Sequence, residues 1–163
     1  MNDVALAPAR TAEDYALCAA IWLEASLKAH DFIPASFWKE HAPAMRHHYL
    51  PSALVTVARV GGIPVGFSAL NGNELAALFV HPGHWREGIG RLLMERAKAA
   101  AKRLELAVYE KNRRAFAFYR AEGFRTLAHS VCPHSGEREL RLLWERPMRD
   151  EADECEKLRP LPS

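Results

Sequence analysis

Cysteine is scarce in this chain. Three of its 163 residues are cysteine (Cys18, Cys132, Cys155), too few and too scattered for a disulfide framework or a metal knuckle. Long apolar runs are also missing, since no uninterrupted stretch approaches the ~20 residues that cross a bilayer. The segment Met1 to Arg10 has neither the basic start nor the long apolar region of a secretory leader. No internal repeat is visible. His47, His48, His81 and His84 have no partners at a recognisable metal-ligand spacing, so they read as surface or pocket polar groups and no metal is expected. Together these absences point away from a disulfide-stapled, membrane-spanning or metal-built protein. A reducing cytoplasm is the expected setting.

What is present is ordinary globular material, 49% hydrophobic and 26% charged. At this length residues 1–147 are expected to form one domain with a full core. Residues 148–163 are acidic, end in late prolines and read as a flexible tail. The net charge of +2 hides an asymmetry: residues 84–114 hold nine Lys or Arg against four Glu, an excess of +5 that leaves the rest at −3. Such an excess suits a polyanionic small ligand or simply a solvated helix face. No aromatic-interleaved basic run accompanies it, so nucleic acid is not expected as a partner.

The excess surrounds the stretch that organises the chain. Leu75 to Val80 reads as a short apolar strand, His81-Pro82-Gly83 opens a loop, and Gly88-Ile89-Gly90 leads into an amphipathic helix. Its apolar stripe is expected to be Ile89, Leu92, Leu93, Ala97 and Ala100, with Arg91, Glu95, Lys98 and Lys102 opposite. A helix start offers free N–H groups and partial positive charge, and glycine lets an anion come close to them. Taken alone, Gly-x-Gly is equally a tight turn with close packing.

The flanking sequence completes an alternating pattern. Val4 to Pro8 reads as a first strand, followed by a helix with Thr11 as N-cap and Asp14 in a capping box, its stripe running from Leu17 toward His30. Cys18 on that stripe reads as core filler. After His30-Asp-Phe-Ile-Pro34 a second helix is expected through Trp38, Met45 and Tyr49. Residues 54–60 and 63–70 read as a hairpin turning at Gly61-Gly62. Leu104 to Tyr109 is expected to run parallel to the anchor strand, with the helix as crossover. Asn112 can cap a fourth helix that Gly123 ends, and residues 125–131 and 139–144 supply two last strands.

At this point the chain resembles the GNAT superfamily of acyl-CoA-dependent N-acetyltransferases. The likeness rests on the strand ending Leu78-Phe79-Val80-His81-Pro82, the turn Arg86-x-Gly88-x-Gly90-Arg91-x-Leu93, and the block Asn112-x6-Tyr119-x3-Gly123-Phe124, and it covers about residues 4–146. One departure is Trp85, which stands where the family often has Gln or Arg. The resemblance implies an α/β fold: a mixed, mostly antiparallel sheet of six to seven strands with about four helices. It implies acetyl-CoA as co-substrate and transfer to a primary amine, of a small molecule, a protein lysine or an N-terminus, by a monomer or homodimer.

It also implies roles for residues. The carrier would be held by backbone around Glu87, Gly88, Ile89, Gly90 and Arg91, with Arg86 and Arg91 as auxiliary charges and Asn112 nearby. Pantetheine would pair with a strand edge at Leu78, Phe79 and Val80, splayed from its parallel neighbour near Phe79 and Val80. Tyr119 would be the general acid, although its helical spacing with Phe116 equally fits a core tyrosine. Glu74 matches a glutamate base of some relatives, with Glu24, His30 and a water chain as competitors. A similar His-Asp/Pro-Phe-Ile segment in a smaller bacterial branch would put His30, Phe32 and Trp38 at the acceptor pocket; otherwise that segment is a hydrophobic elbow. Two rivals stand beside this reading. A nucleotide-binding redox domain fails on spacing, because Leu93 occupies the third glycine position. A non-catalytic acyl-CoA sensor would have the same carrier site.

Overall fold

A computed structural model describes residues 3–147; the acidic segment 148–163 lies outside them. Seven strands form one sheet in the order β1-β2-β3-β4-β5-β7-β6. They are β1 (Val4–Pro8), β2 (Leu54–Val60), β3 (Ile63–Asn71), β4 (Glu74–Val80), β5 (Arg103–Tyr109), β6 (Arg125–Val131) and β7 (Arg138–Glu145). Only β4 and β5 pair in parallel; every other neighbour is antiparallel. Four α-helices, α1 (Ala12–Ala29), α2 (Ala35–Ala44), α3 (Ile89–Ala100) and α4 (Arg113–Ala121), cover the sheet. The mixed, mostly antiparallel α/β architecture expected from the sequence is the one found. Among the described residues no helix is long and apolar enough to cross a membrane.

The chain folds this way because its apolar positions face two ways. On one face α1 and α2 bury Cys18, Trp22 and Trp38 against Val57, Phe67 and Ala77 of the first four strands. On the other, α3 and α4 bury Met94, Ala97 and Tyr119 against Leu104, Leu106, Leu140 and Leu142. The Thr11 capping box is formed, with the Asp14 N–H donating to Thr11 Oγ1 at 3.1 Å and the Thr11 N–H to Asp14 Oδ2 at 3.3 Å. Arg59 closes on the same carboxylate at 2.7 Å and ties α1 to β2. Cys18 is fully buried, and burial pushes its thiol up to about 12, as befits core filler.

Two expectations need correcting. The apolar stripe of α3 is Ile89, Leu93, Met94 and Ala97, whereas Leu92 and Ala100 are exposed. Met94 is buried because α3 packs on two sides, Ile89 and Leu93 against Ala58 and Val65 and Met94 in the cluster with Tyr119 and Phe124. The second helix does not run unbroken to Tyr49. It holds Pro43, which has no N–H to donate, and passes at Met45 into a wider π turn over Met45–Tyr49, closed by Leu50 N–H to the Met45 carbonyl at 3.0 Å.

The decisive feature is where β4 leaves β5. Opposite β3, Ala77 pairs with Ala69 but Leu75 with Leu70, so Ala76 is an extra residue, a β-bulge. The parallel ladder consists of the single pair Glu74–Glu105. Past the bulge the two strands part, well ahead of the Phe79–Val80 position that the resemblance implied. At the far end of β4, opposite Val80, Gly66 on β3 permits a close approach: a Cβ there would lie 3.0 Å from the Phe79 carbonyl oxygen and 3.3 Å from Ile89 Cγ2.

Candidate active site

Parting β4 from β5 opens a cavity of about 620 Å³ that reaches both faces of the sheet. Its walls are β4 from Leu75 to Val80 and β5 from Leu106 to Tyr109. On the α3/α4 face it meets the glycine turn. Gly88 is the N-cap of α3 with φ +81°, and no side chain caps the helix. The first intrahelical bond there is Leu92 N–H to the Gly88 carbonyl, at 3.2 Å. The N–H groups of Ile89, Gly90 and Arg91 are thus left without intrahelical partners, at the positive end of the helix. Arg86, two residues before Gly88, also takes a left-handed conformation, φ +68°. Arg86, Arg91 and Arg114 line the cavity at this end. Burial and then the like charge of Arg86 lower the pKa of Arg114. Three crowded guanidiniums with free helix N–H groups form a site for anions such as phosphates.

Trp85 explains part of this crowding. Its indole N–H donates to the Val80 carbonyl at 2.7 Å, and the Arg114 guanidinium stacks on its ring, 4.0 Å from the centroid. Lys28 lies over the same ring at 5.2 Å. The aromatic side chain thus gathers cations at the turn by cation–π attraction, whereas a Gln or Arg would act through its own polar head.

Tyr119 stands on α4 and lines the cavity from the α3/α4 face. It is 9% exposed, packed edge-on by Phe118 and Phe124. Burial alone raises the pKa of its phenol, so it stays protonated across the physiological range. Among the described residues its hydroxyl has no hydrogen-bond partner.

On the α1/α2 face the wall is aromatic. His30 stacks on Trp38 at 5.1 Å between centroids and meets Tyr109 and Phe32 edge-on at 5.0 and 5.7 Å. Asn112 spans the two sides. Its Oδ1 accepts the Ala115 N–H at 3.2 Å and caps α4, which turns its amide N–H₂ toward His30 Nε2 at 3.0 Å. Nε2 is therefore the acceptor and Nδ1 carries the ring proton, buried and without a partner. Burial lowers the His30 pKa to about 4. The unfolded chain takes up that proton near the ordinary value of ~6.5. Stability is therefore full above about pH 6.5 and falls as the pH drops toward 4, where only the unfolded state binds the proton. The melting temperature should decline over that range, and less steeply in His30→Gln.

The structure brings together most of the residues read from the sequence. Leu78, Phe79 and Val80, the turn residues Arg86, Gly88, Ile89, Gly90 and Arg91, and Asn112, Tyr119, His30 and Trp38 all line the one cavity. Three do not. Phe32 packs behind His30 and Tyr109. The Glu87 carboxylate is engaged by His84 at 2.8 Å. Glu74 lies at the closed end of the split, both of its oxygens held by Arg141. Of the other groups weighed as a base, Glu24 is tied to His81, and His30 has no free lone pair in this arrangement. Among the described residues no cluster of His, Cys, Asp or Glu suited to a metal is formed.

Sequence reasoning missed Arg114, Tyr109 and Glu139, which also line the cavity. Arg114 lies in the basic excess but is indistinguishable there from solvated charges. Tyr109 and Glu139 stand at or beside strand ends, where sequence alone gives them no further signal. Their pairing across β5 and β7 is a fact of register that no local motif carries.

Comparison with known proteins agrees with this geometry. Residues 51–126 match the model of the acetyltransferase (GNAT) domain. The chain is 41% identical over 105 residues to peptidyl-lysine N-acetyltransferase YiaC of Escherichia coli, covering 64% of this chain and 72% of that one. It is 37% identical over 112 residues to peptidyl-lysine N-acetyltransferase YjaB of the same organism, covering 68% and 76%. The solution structure of apo YjaB superposes with a TM-score of 0.78 over 89% of this chain and 99% of that one. The fold is also that of yncA from Salmonella typhimurium, solved with its cofactor acetyl-CoA, at 16% identity, a TM-score of 0.64, and 91% and 96% coverage. The bulged and parted strands, the glycine-led helix start and these likenesses agree: the chain is an acyltransferase belonging to the GNAT family of N-acetyltransferases.

Proposed function

We propose that the protein moves an acetyl group from acetyl-CoA to the side-chain amine of a peptide or protein lysine, by direct attack within a ternary complex. The observation that carries this reading is the cavity through the sheet, with an anion-binding helix start on one face and an aromatic wall on the other. Two ligands can then meet between β4 and β5 without sharing an entrance. The names of YiaC and YjaB favour lysine as acceptor.

In this reading the N–H groups of Ile89, Gly90 and Arg91 hold the carrier's phosphates, with Arg86, Arg91 and Arg114 adding charge. The free edge of β4 pairs with the extended arm of the carrier and turns an N–H toward the acyl oxygen, as a strand edge pairs with a peptide. Acetyl-CoA supplies the activated acyl group as a thioester. Tyr119 delivers its phenolic proton to the departing sulfur, because a leaving thiolate of pKa ~8.5 departs more readily with a donor beside it. Glu24 and Glu74 do not line the cavity and the His30 lone pair is taken by Asn112, so the amine gives up its proton to water in the open cavity.

Glu74 serves here to hold Arg141. Glu74→Gln should keep turnover within about tenfold of wild type, whereas a fall of roughly 10²–10⁴-fold in a folded protein would make it the base after all. The reading as a whole is tested by release of free thiol from acetyl-CoA in the presence of a lysine peptide, a peptide whose only amine is its N-terminus, and a polyamine. The lysine peptide should be turned over best. Failure with every amine would put a non-catalytic acyl-CoA sensor in its place.

A further inference from the structure

The charges that line the cavity are sorted by face. On β7, Leu140, Leu142 and Trp144 pack under α3 and α4, so by strand alternation Glu139 and Arg141 point to the α1/α2 face. Tyr109, paired with Glu139 across β5 and β7, packs with the α1/α2 cluster, which places both on that side. Glu139 is the one carboxylate among the cavity-lining residues. Arg138 beside it points to the opposite face by alternation, and the nearest cation on its own face of the strand, Arg141, is committed to Glu74 and lies 3.8 Å from Glu105. Among the described residues Glu139 has no ion pair. The three guanidiniums all belong to the opposite mouth.

We infer that Glu139, with the aromatic wall of Tyr109, Trp38 and His30, is the specificity-determining contact that receives the acceptor as a positively charged alkylammonium. This deepens the function proposed above and rests on it for the identity of the reaction. The chemistry is complementary at each point. A primary ammonium carries three donors and no acceptor, and Glu139 offers an unpaired acceptor. The rings offer π faces that attract a cation and an apolar wall for its methylene stem. Arg141, Glu74, Glu105 and Glu139, together with Arg103 paired to Glu105 at 3.3 Å, sum to −1 on this face, which favours cations over anions at the split. Neutral and anionic amines find no matching charge there. The partly exposed setting of Glu139 lets a side chain displayed on a larger surface reach it.

The test is calorimetry on protein saturated with free coenzyme A, titrated with a short peptide bearing one lysine, the same peptide with norleucine in its place, and spermidine. For the lysine peptide, Glu139→Gln should weaken binding about tenfold while Glu139→Asp recovers most of it, as expected for one partly desolvated charge pair. The norleucine peptide should not distinguish wild type from Glu139→Gln, and coenzyme A affinity and melting temperature should match wild type in both variants. Equal affinity of wild type and Glu139→Gln for both the lysine peptide and spermidine would overturn the inference. So would loss of coenzyme A affinity along with acceptor binding, which would make Glu139 structural. If spermidine binding depends on Glu139 but the lysine peptide binds no better than its norleucine form, the inference stands and the peptidyl-lysine reading falls. If the lysine peptide is acetylated by wild type and Glu139→Gln alike, with equal affinities, the reading stands and the inference falls.

Discussion

Tyr119→Phe should slow turnover at saturating substrate by roughly 10²–10⁴-fold, with coenzyme A affinity and melting temperature close to wild type. Two opposing roles for this residue predict different results. As a structural donor the hydroxyl would satisfy a buried acceptor, and its loss would cost about 1–3 kcal/mol of stability. Among the described residues no such acceptor is bonded to it, and the ring contacts with Phe118 and Phe124 survive the change. As an acid, it stands protonated at the wall of the cavity, its pKa raised by burial. Raising the pKa makes it a weaker acid in isolation. It also keeps the proton on the phenol at any working pH, and a sulfur anion leaving into the same apolar surroundings has its own pKa raised by the same desolvation. Rate and melting temperature measured on one mutant separate the roles: a stable protein with undiminished turnover would remove Tyr119 from the chemistry.

Gly88→Asp should lower coenzyme A affinity by roughly 10²-fold or more in a protein that still folds, because it sets a carboxylate against the carrier's phosphates at the helix start. A Cβ at Gly88 would meet no atom within 4 Å, so sterics are not the obstacle. The left-handed backbone at φ +81° costs a non-glycine residue about 1 kcal/mol. Gly88→Ala isolates that strain and should weaken binding far less. The difference between the two variants, read by calorimetry, is the electrostatic part. Wild-type affinity in folded Gly88→Asp would move the carrier site elsewhere.

The glycine-led end of the cavity was legible in the sequence because it is local. Strand, loop, glycines and helix follow one another within residues 75–93, and the chemistry is carried by backbone that those glycines leave open. Tyr119 was legible for a similar reason, standing at fixed spacing between its own cap, Asn112, and its own stop, Gly123. The aromatic end was only partly legible. His30 caps α1 and Trp38 stands on α2, close together in sequence, but Glu139 comes to that wall only through the pairing of β7 with β5, beside Tyr109. Glu74 shows the converse. Its position along the strand suggested a base, yet Arg141, 67 residues away in sequence, holds both oxygens. The Ala76 bulge has no residue signature either: alanine fits a regular strand and a bulge equally well, and only the pairing of both flanks with β3 reveals the extra residue.

The lone Glu74–Glu105 rung has a consequence for how the molecule comes apart. Strands β1 to β4 are joined by successive antiparallel ladders, and β5, β7 and β6 by another set. Between the two blocks the main chain contributes almost nothing, and cohesion falls to side chains such as Leu70 and Leu75 that reach into the α3/α4 cluster. Each block can thus lose and regain its backbone protection as a separate cooperative unit, with native-state amide exchange resolving two opening free energies. A ligand that pairs with the edge of β4 and seats on α3 bridges the gap that the backbone leaves, and the unliganded protein is the less cooperative form.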